Sequence, residues 1–173
     1  MIICPLAGIP GVDYRITQGF DERPEVYKQF GLHGHNGFDL APAVAGTPGV
    51  TVYAPHDGMA YQYNELDTGF GKYVEIVFTS ALLGGRKSVL AHLQDFLVKK
   101  FQVVRQGDPI GIMGSTGFSS GIHLHWGYKK LNTAGVTIDR NNGWKGAIDV
   151  SQYVILPAKG KQKPFAVLKD FRP

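Results

Sequence analysis

The chain has 173 residues, of which 43% are hydrophobic and 18% are charged, and its formal net charge is +4. These values place it among globular chains that are long enough for one domain with a substantial core. Its 23 Gly and 10 Pro exclude a helical bundle, because both residue types break helix interiors, and its 12% aromatic content excludes a disordered chain.

The predicted elements are mostly short β-strands separated by turns rich in glycine, proline and aspartate. One short helix is predicted at residues 23–30, where Pro24 is compatible with a first helical turn. Tight connections between consecutive strands favour antiparallel pairing, since parallel strands need crossovers of a dozen or more residues. We therefore expect a mainly β domain at residues 1–157 and a basic tail at residues 158–173. The strands are predicted at residues 50–54, 59–63, 73–78, 88–93, 98–104 and 110–113.

Cysteine content and apolar runs set further limits. The single cysteine, Cys4, excludes an internal disulfide and a zinc knuckle built on cysteine pairs, so a metal site must use histidine and carboxylates. No apolar run approaches the length of a transmembrane helix, and the first residues lack the basic region of a secretory signal. We expect a protein that is made in the cytoplasm and is a monomer without a membrane or nucleic-acid partner.

Four histidines and one aspartate are the candidate functional residues. His35 precedes Asp39 by four positions in a glycine-rich segment. His123 and His125 alternate in a strand-like segment, which puts both imidazoles on one face. A catalytic zinc site needs three nitrogen or oxygen ligands and one open position, so His35, Asp39 and one histidine of the pair can supply the ligands. The other histidine of the pair and His92 are then available to transfer protons, because imidazole titrates near neutral pH.

Each of these patterns has an ordinary structural explanation when it is taken alone. A His-x-His pair in a strand is more often a surface or hydrogen-bonded pair than a pair of ligands, and His92 alone would be a core histidine. His56 lies in a Pro-His-Asp-Gly turn and His33 is out of phase with His35, so both are assigned structural roles. The combination of patterns, rather than any one of them, favours a metal site.

Seven glycine- and histidine-containing motifs follow one another between residue 35 and residue 125. They are His35-Asn-Gly-Phe-Asp39 and residues 46–58, 69–74, 90–93, 106–111, 114–117 and 121–125. In content and order they resemble the lysostaphin and LytM type of zinc metallopeptidase, and the resemblance extends over residues 16–156.

This resemblance implies an antiparallel, β-sandwich-like domain of the duplicated hybrid motif type, with a narrow groove formed by loops. It implies one zinc ion held by His35, Asp39 and His125, and catalytic roles for His123 and His92. Enzymes of this family cut peptide bonds in peptidoglycan cross-bridges or stem peptides, so the expected activity is that of a zinc-dependent endopeptidase. The division of labour between the two catalytic histidines stays open.

A tyrosine near the oxyanion is found in some relatives, and Tyr27 is the nearest upstream candidate. Its spacing matches poorly, so Tyr27 is left out of the catalytic set.

Three other functions are weighed against the peptidase. A catalytically silent wall-binding or hydrolase-regulating module of the same fold is disfavoured, because every expected ligand and catalytic position is filled. A D-alanyl-D-alanine dipeptidase is disfavoured by the short spacing from His35 to Asp39 and by the absence of its glutamate motif. A lipoyl-type or carbohydrate-phosphotransfer β-domain would not require three metal ligands.

The absence of a secretory signal leaves three alternatives for a protein that acts on the cell wall: a phage lysin, a virion-associated protein, or the catalytic part of a longer protein with its own export signal. A phage origin is the hypothesis we adopt. The basic residues of the tail, which include Lys159 and Lys163, are then expected to attach weakly to anionic wall polymers.

Overall fold

Two antiparallel β-sheets make up most of this computed structural model, which describes residues 2–65 and 69–154. One short helix, α1 (Pro24–Tyr27), continues into a 3-10 turn, Lys28–Phe30, and a second 3-10 turn is Val150–Tyr153. The strands are β1 (Tyr14–Gln18), β2 (Phe38–Pro42), β3 (Thr51–Tyr53), β4 (Gly58–Asn64), β5 (Lys72–Ser80), β6 (Gly84–Ala91), β7 (Leu93–Phe96), β8 (Gln102–Val104), β9 (Pro109–Met113) and β10 (Leu124–Leu131).

The larger sheet has the strand order β1-β2-β10-β6-β5-β4-β8, and the smaller sheet has the order β3-β9-β7. Strands β4, β5 and β6 are consecutive neighbours, as tight turns predict. Strand β10 instead inserts between β2 and β6, which brings distant parts of the chain together. The prediction of a mainly β, antiparallel, sandwich-like fold is confirmed.

The core lies between the two sheets. On β10, Leu124, Trp126 and Tyr128 are buried in a cluster that also contains Val52 and Ile110 of the smaller sheet. Burial of side chains of this size stabilises a fold by about 1.5–3 kcal/mol each relative to exposure. Successive side chains of a strand point to opposite faces, so the alternate residues of β10 face away from this core. These alternate residues are His125, Gly127 and Lys129.

Strands β1 and β2 are not predicted from the sequence, although β2 carries Asp39. The β2 segment Phe-Asp-Leu-Ala-Pro contains no β-branched residue and ends in proline. It is extended because it pairs with β1 on one side and β10 on the other, which is tertiary context rather than local propensity.

Three other predicted elements differ in detail. The predicted strand 88–93 breaks at His92, whose φ is 63°, and the chain passes there from the larger sheet to the smaller one. Gly84 and Gly85, which lie between the predicted strands 73–78 and 88–93, begin β6 rather than forming a turn, and the turn lies at residues 81–83. Of the predicted strand 98–104, only β8 is extended, because the Lys99 N–H donates to Gln102 Oε1 (2.8 Å) in a preceding turn.

Among the described residues, no helix is long and apolar enough to cross a membrane. The predicted basic tail at residues 158–173 lies outside the described residues. The domain boundary at residue 157 therefore stays a prediction.

Candidate metal centre and active-site groove

Three of the predicted site residues meet on the outer face of the larger sheet. Asp39 on β2 and His125 on β10 are directly opposite each other in the antiparallel ladder, so their side chains share one face. His35 lies just before β2, and its imidazole turns toward the same point. His35 Nε2 is 2.9 Å from His125 Nδ1, and each of these nitrogens is 3.1 Å from Asp39 Oδ1.

The hydrogen bonds of His35 and His125 indicate which ring nitrogen of each carries the lone pair. His35 donates its Nδ1–H to the Gly19 carbonyl (2.9 Å), so its lone pair is on Nε2. His125 presents Nδ1, while its buried Nε2 has no hydrogen-bond partner within residues 2–65 and 69–154. Two nitrogen lone pairs and a carboxylate oxygen therefore converge, and a single shared proton could not satisfy all three acceptors at once. A metal cation could bind all three, and two imidazole nitrogens with one carboxylate oxygen are ligands that suit zinc.

The charges on these groups suit the same ligand set. Burial on its own would raise the pKa of the Asp39 carboxyl, but the adjacent His125 and His35 hold that pKa well below its ordinary value. Burial also lowers the pKa of His125. These shifts favour a carboxylate at Asp39 and a neutral imidazole at His125, which are the forms in which these two groups bind a metal.

His92 and His123 stand beside this cluster, with ring centroids 4.6 Å apart. His92 donates its Nδ1–H to the Thr116 carbonyl, and His123 donates its Nδ1–H to the Gly121 carbonyl, both at 2.8 Å. Both lone pairs are therefore on Nε2, and Nε2 of His123 is 3.7 Å from Asp39 Oδ2. Burial, together with the nearby His125 and His123, lowers the pKa of His92 to about 3, so this imidazole is neutral near pH 7.

Thr116 positions His92, a role that the sequence analysis did not assign. Its carbonyl accepts the His92 Nδ1–H, while its Oγ1 donates to the Leu93 carbonyl (3.0 Å) and accepts from the Lys72 N–H (2.9 Å). These bonds tie the loop after β9 to the break between β6 and β7. The only sequence signal was the motif Gly-Ser-Thr-Gly at residues 114–117, which taken alone is typical of an ordinary turn.

Close packing fixes the orientation of the His125 ring. The Phe70 ring stacks on it with a centroid distance of 5.2 Å. On the other side, a Cβ added to Gly37 would lie 2.6 Å from both His125 Cε1 and the Trp126 carbonyl oxygen. Glycine at position 37 is thus required by the close approach of the imidazole, rather than by the backbone conformation.

A groove of about 790 Å³ opens above Asp39, His92, His123 and His125, and both loops and strands line it. Tyr27 lines one wall, with its ring centroid 5.0 Å from that of His35 and its hydroxyl 3.1 Å from Gln18 Nε2. The structure thus places Tyr27 beside the cluster, although its spacing in the sequence argued against a catalytic role. Phe30 and Phe118 meet edge to face at the groove, with centroids 5.0 Å apart.

His33 and His56 lie outside this group, in the structural roles assigned to them. His33 is exposed and packs edge to face against Trp144, with centroids 5.2 Å apart. His56 is 1% exposed, with Nδ1 2.8 Å from the Asp57 carbonyl oxygen and Nε2 3.1 Å from Ser88 Oγ. Burial lowers the pKa of His56 to about 4.

An antiparallel β domain with a buried His–Asp–His cluster on a groove floor is typical of metallopeptidase domains. The sequence profile of peptidase family M23 matches residues 33–140 of the chain. The chain belongs to this family, and the resemblance drawn from its motifs is confirmed.

Relatives extend over the same region. The chain is 32% identical over 112 residues to the peptidoglycan DD-endopeptidase ShyB of Vibrio cholerae, covering 65% of this chain and 24% of ShyB. More generally, it spans between 18% and 24% of the length of the curated relatives it matches.

Solved structures show the same fold. A zinc-containing peptidase from Vibrio cholerae is 27% identical, with a TM-score of 0.57, and the match covers 80% of this chain and 39% of that one. The catalytic domain of lysostaphin from Staphylococcus simulans is 23% identical, with a TM-score of 0.57, over 81% of this chain and 91% of that one.

Proposed function

We propose that this protein is a zinc-dependent endopeptidase that hydrolyses peptide bonds in bacterial peptidoglycan, in either a stem peptide or a cross-bridge. The observation that carries the proposal is the convergence of His35 Nε2, Asp39 Oδ1 and His125 Nδ1 at distances of 2.9–3.1 Å on the groove floor. The substrate is proposed from the M23 relatives, among which ShyB is a peptidoglycan DD-endopeptidase.

In the proposed mechanism, His35, Asp39 and His125 would hold the zinc ion. When bound, zinc would act as a Lewis acid that polarises a peptide carbonyl and makes water nucleophilic near neutral pH. The Gly19 carbonyl keeps Nε2 of His35 directed at the centre, a supporting hydrogen bond of the kind that orients metal ligands. The groove holds the peptide over this point and removes part of its surrounding water.

His123 and His92 are proposed as the groups that handle protons and charge. With Nδ1–H fixed by the Gly121 carbonyl, His123 offers the Nε2 lone pair as a general base and can later return the proton to the leaving amine. His92 is fixed in the same way by Thr116 and is proposed to orient the attacking water or to stabilise the oxyanion.

A catalytically silent module of the same fold is the alternative considered from the sequence. It is not favoured, because both members of the His92 and His123 pair line the groove beside an intact ligand set.

Metal analysis combined with digestion of purified peptidoglycan tests the proposal. The zinc-loaded protein is incubated with cell-wall sacculi, and mass spectrometry of the soluble products locates the cleaved bond. We expect one zinc per chain and products in which one peptide bond has gained a water. The Asp39→Ala variant is expected to lose both zinc and cleavage.

The matched control is His33→Ala, which removes an exposed histidine of the same segment that lies outside the cluster. It should keep both zinc and cleavage. Zinc bound at one per chain without cleavage of sacculi from several bacterial wall types would refute the enzymatic proposal.

A role for the basic tail is proposed from the sequence alone. We propose that residues 158–173 attach weakly to anionic wall polymers. Deletion of these residues should weaken binding to sacculi at low salt and have little effect at high salt, because surface charges are screened there. Equal binding at low salt would rule out this role.

A further inference from the structure

One end of the groove is lined by three cationic side chains, Lys129, Arg140 and Lys145. Lys129 is on β10, on the same face as His125 and four residues beyond it. At a rise of about 3.4 Å per residue, the two positions are about 14 Å apart along the strand. The other two cations belong to the loop that follows β10.

That loop is anchored by contacts within itself and to two other segments. Ala147 forms an antiparallel bridge with Lys129. The Asn142 side chain accepts backbone N–H groups within the loop at 2.9 and 3.0 Å and so closes the turn that carries Lys145. Trp144 donates its Nε1–H to Asp21 Oδ1 (3.1 Å) in the segment after β1. The cations are therefore held beside the groove by a fixed backbone.

The three cations have no ion-pair partner within residues 2–65 and 69–154. Lys87, opposite Lys129 on the neighbouring strand, differs from them because its Nζ pairs with Glu75 Oε1 at 2.9 Å. Of the acidic residues lining the groove, Asp39 belongs to the ligand cluster and Glu65 accepts a hydrogen bond from the Tyr73 hydroxyl (2.9 Å). The groove end thus carries an excess of positive charge.

The repulsion among these cations is reflected in the pKa of Lys129, whose side chain is partly buried. Burial first, and then the charge of Lys87, lower the pKa of Lys129 to about 8; Glu75 opposes this shift, while Arg140 and Lys145 add to it. Like charges that are brought together repel each other more strongly as solvent is removed. A bound anion would relieve this repulsion.

We propose that Lys129, Arg140 and Lys145 form a subsite that binds a free carboxylate of the peptide being cut. The inference rests on the proposed function, because it takes the occupant of the groove to be a peptide whose scissile bond lies at the metal centre. A peptide extended along β10 from that centre reaches the cations within a few residues. Either an acidic side chain or a free carboxyl terminus supplies the required group, so the chain discriminates among wall peptides by their charge.

Amidation of defined substrates tests the subsite. Purified cross-linked muropeptide dimers are prepared with their carboxylates free, or fully amidated by carbodiimide coupling to ammonia. We expect kcat/KM of the wild-type protein to be about tenfold higher for the free form, as for a charge-assisted hydrogen bond to one partner. In the triple variant Lys129→Gln, Arg140→Gln, Lys145→Gln, the ratio of the two values should fall to about one.

Lys130→Gln is the matched control, because Lys130 is on the same strand but points to the opposite face, where its Nζ lies 5.7 Å from the Tyr153 ring centroid. It should keep the wild-type ratio. Two further dimers, one with only the terminal carboxylate free and one with only the side-chain carboxylates free, identify the source of the charge. Thermal unfolding of each variant verifies that it is folded.

A wild-type ratio near one, or a triple variant that keeps the wild-type ratio, would overturn the subsite while leaving the peptidase intact. If no dimer is cleaved by the wild-type protein, the proposed function fails instead. Calorimetric titration of the same free and amidated dimers then decides the subsite. Tighter binding of the free form, lost in the triple variant, supports it, and equal binding of both forms refutes it.

Discussion

Histidines are buried both on the groove floor and at His56, but the second ring nitrogen has a different hydrogen-bond partner in the two places. At His56 both nitrogens are satisfied inside the protein, one by the Asp57 carbonyl and the other by Ser88 Oγ. On the groove floor, one nitrogen is fixed by a backbone carbonyl and the other faces the cluster or the groove. The histidines fixed in this way are His35, His92 and His123.

The partner of the second ring nitrogen distinguishes a structural histidine from a histidine of the site better than burial does, because His56, His35 and His92 are all buried. A neutral imidazole with both nitrogens bonded has no lone pair left for a metal or a proton. An imidazole fixed through one nitrogen has a defined tautomer and a directed lone pair, which is what a ligand or a general base needs.

The largest effect that this comparison predicts is on catalysis at His123. His123→Ala should lower kcat/KM for peptidoglycan peptides by about 10²- to 10⁴-fold, since it removes the proposed general base. Zinc content should stay at the wild-type level, because the three proposed ligands are untouched. Steady-state kinetics together with metal analysis measure both quantities. Ser119→Ala, which removes one contact to His123 Nδ1 at 3.2 Å, is the control and should lose far less activity. Near-normal activity in His123→Ala would remove this residue from the mechanism.

The next effect concerns the packing that orients His125. Gly37→Ala introduces a Cβ 2.6 Å from the His125 ring, so the ligand must shift, and zinc affinity should fall by about 10- to 100-fold. Competition with a chelator measures this change. Gly127→Ala is the matched control, because a Cβ there meets its nearest atoms only at 3.5 Å, and its zinc affinity should match that of the wild type. Equal affinity in both variants would show that the His125 ring is not held by this contact.

A smaller effect is expected at Thr116. Thr116→Val leaves the Lys72 N–H and the Leu93 carbonyl without their side-chain partner, so the loop that orients His92 loosens. We expect kcat to fall by about tenfold with zinc content unchanged, and stability to fall by about 1–3 kcal/mol. Thr116→Ser keeps the hydroxyl and should restore kcat. A valine variant that loses stability but keeps wild-type kcat would limit Thr116 to a structural role.

The smallest effect on activity is expected at His56, where the change should appear in stability. Burial lowers the folded-state pKa of His56 to about 4, against an ordinary value of about 6.5. The unfolded chain therefore binds the proton first, and stability is fully present above pH 6.5 and decreases as the pH falls toward 4. This contribution amounts to about 3 kcal/mol across the window.

Denaturant unfolding of the wild type and of His56→Gln at several pH values measures this contribution. The stability of the variant should vary less between pH 6.5 and 4, while its kcat at neutral pH stays close to that of the wild type. His92 and His125 remain in both proteins, so their own titration cancels in the difference. Identical pH slopes would mean that the folded state does not disfavour protonation of His56.

The parts of the site formed by residues close together in the sequence can be predicted from it. The spacing of His35 and Asp39, and the alternation of His123 and His125, are short-range patterns, and the structure brings these residues together. The strands with β-branched or aromatic runs, β4, β5 and β9, are likewise predicted closely.

Other parts depend on contacts that no local pattern carries. Strand β2 has weak strand propensity and is extended by its two neighbours. His92 adopts a left-handed backbone conformation that a β-branched and apolar context argues against, and this conformation is supported by hydrogen bonds from its backbone N–H to Phe70 and from its ring to Thr116. Tyr27 stands beside His35 because a short helix precedes the cluster, whereas counting along the chain disfavoured it.

The insertion of β10 between β2 and β6 also determines when a reactive centre can exist. His125 meets His35 across 90 positions of the chain and Asp39 across 86. Contacts between such distant positions form only after a costly closure of the intervening chain. The cluster is therefore incomplete until the last strand of the larger sheet has been synthesised and paired. A nascent or partly folded chain carries all the earlier histidines but no assembled centre, so the proposed hydrolytic activity would begin only once β10 has paired with its neighbours.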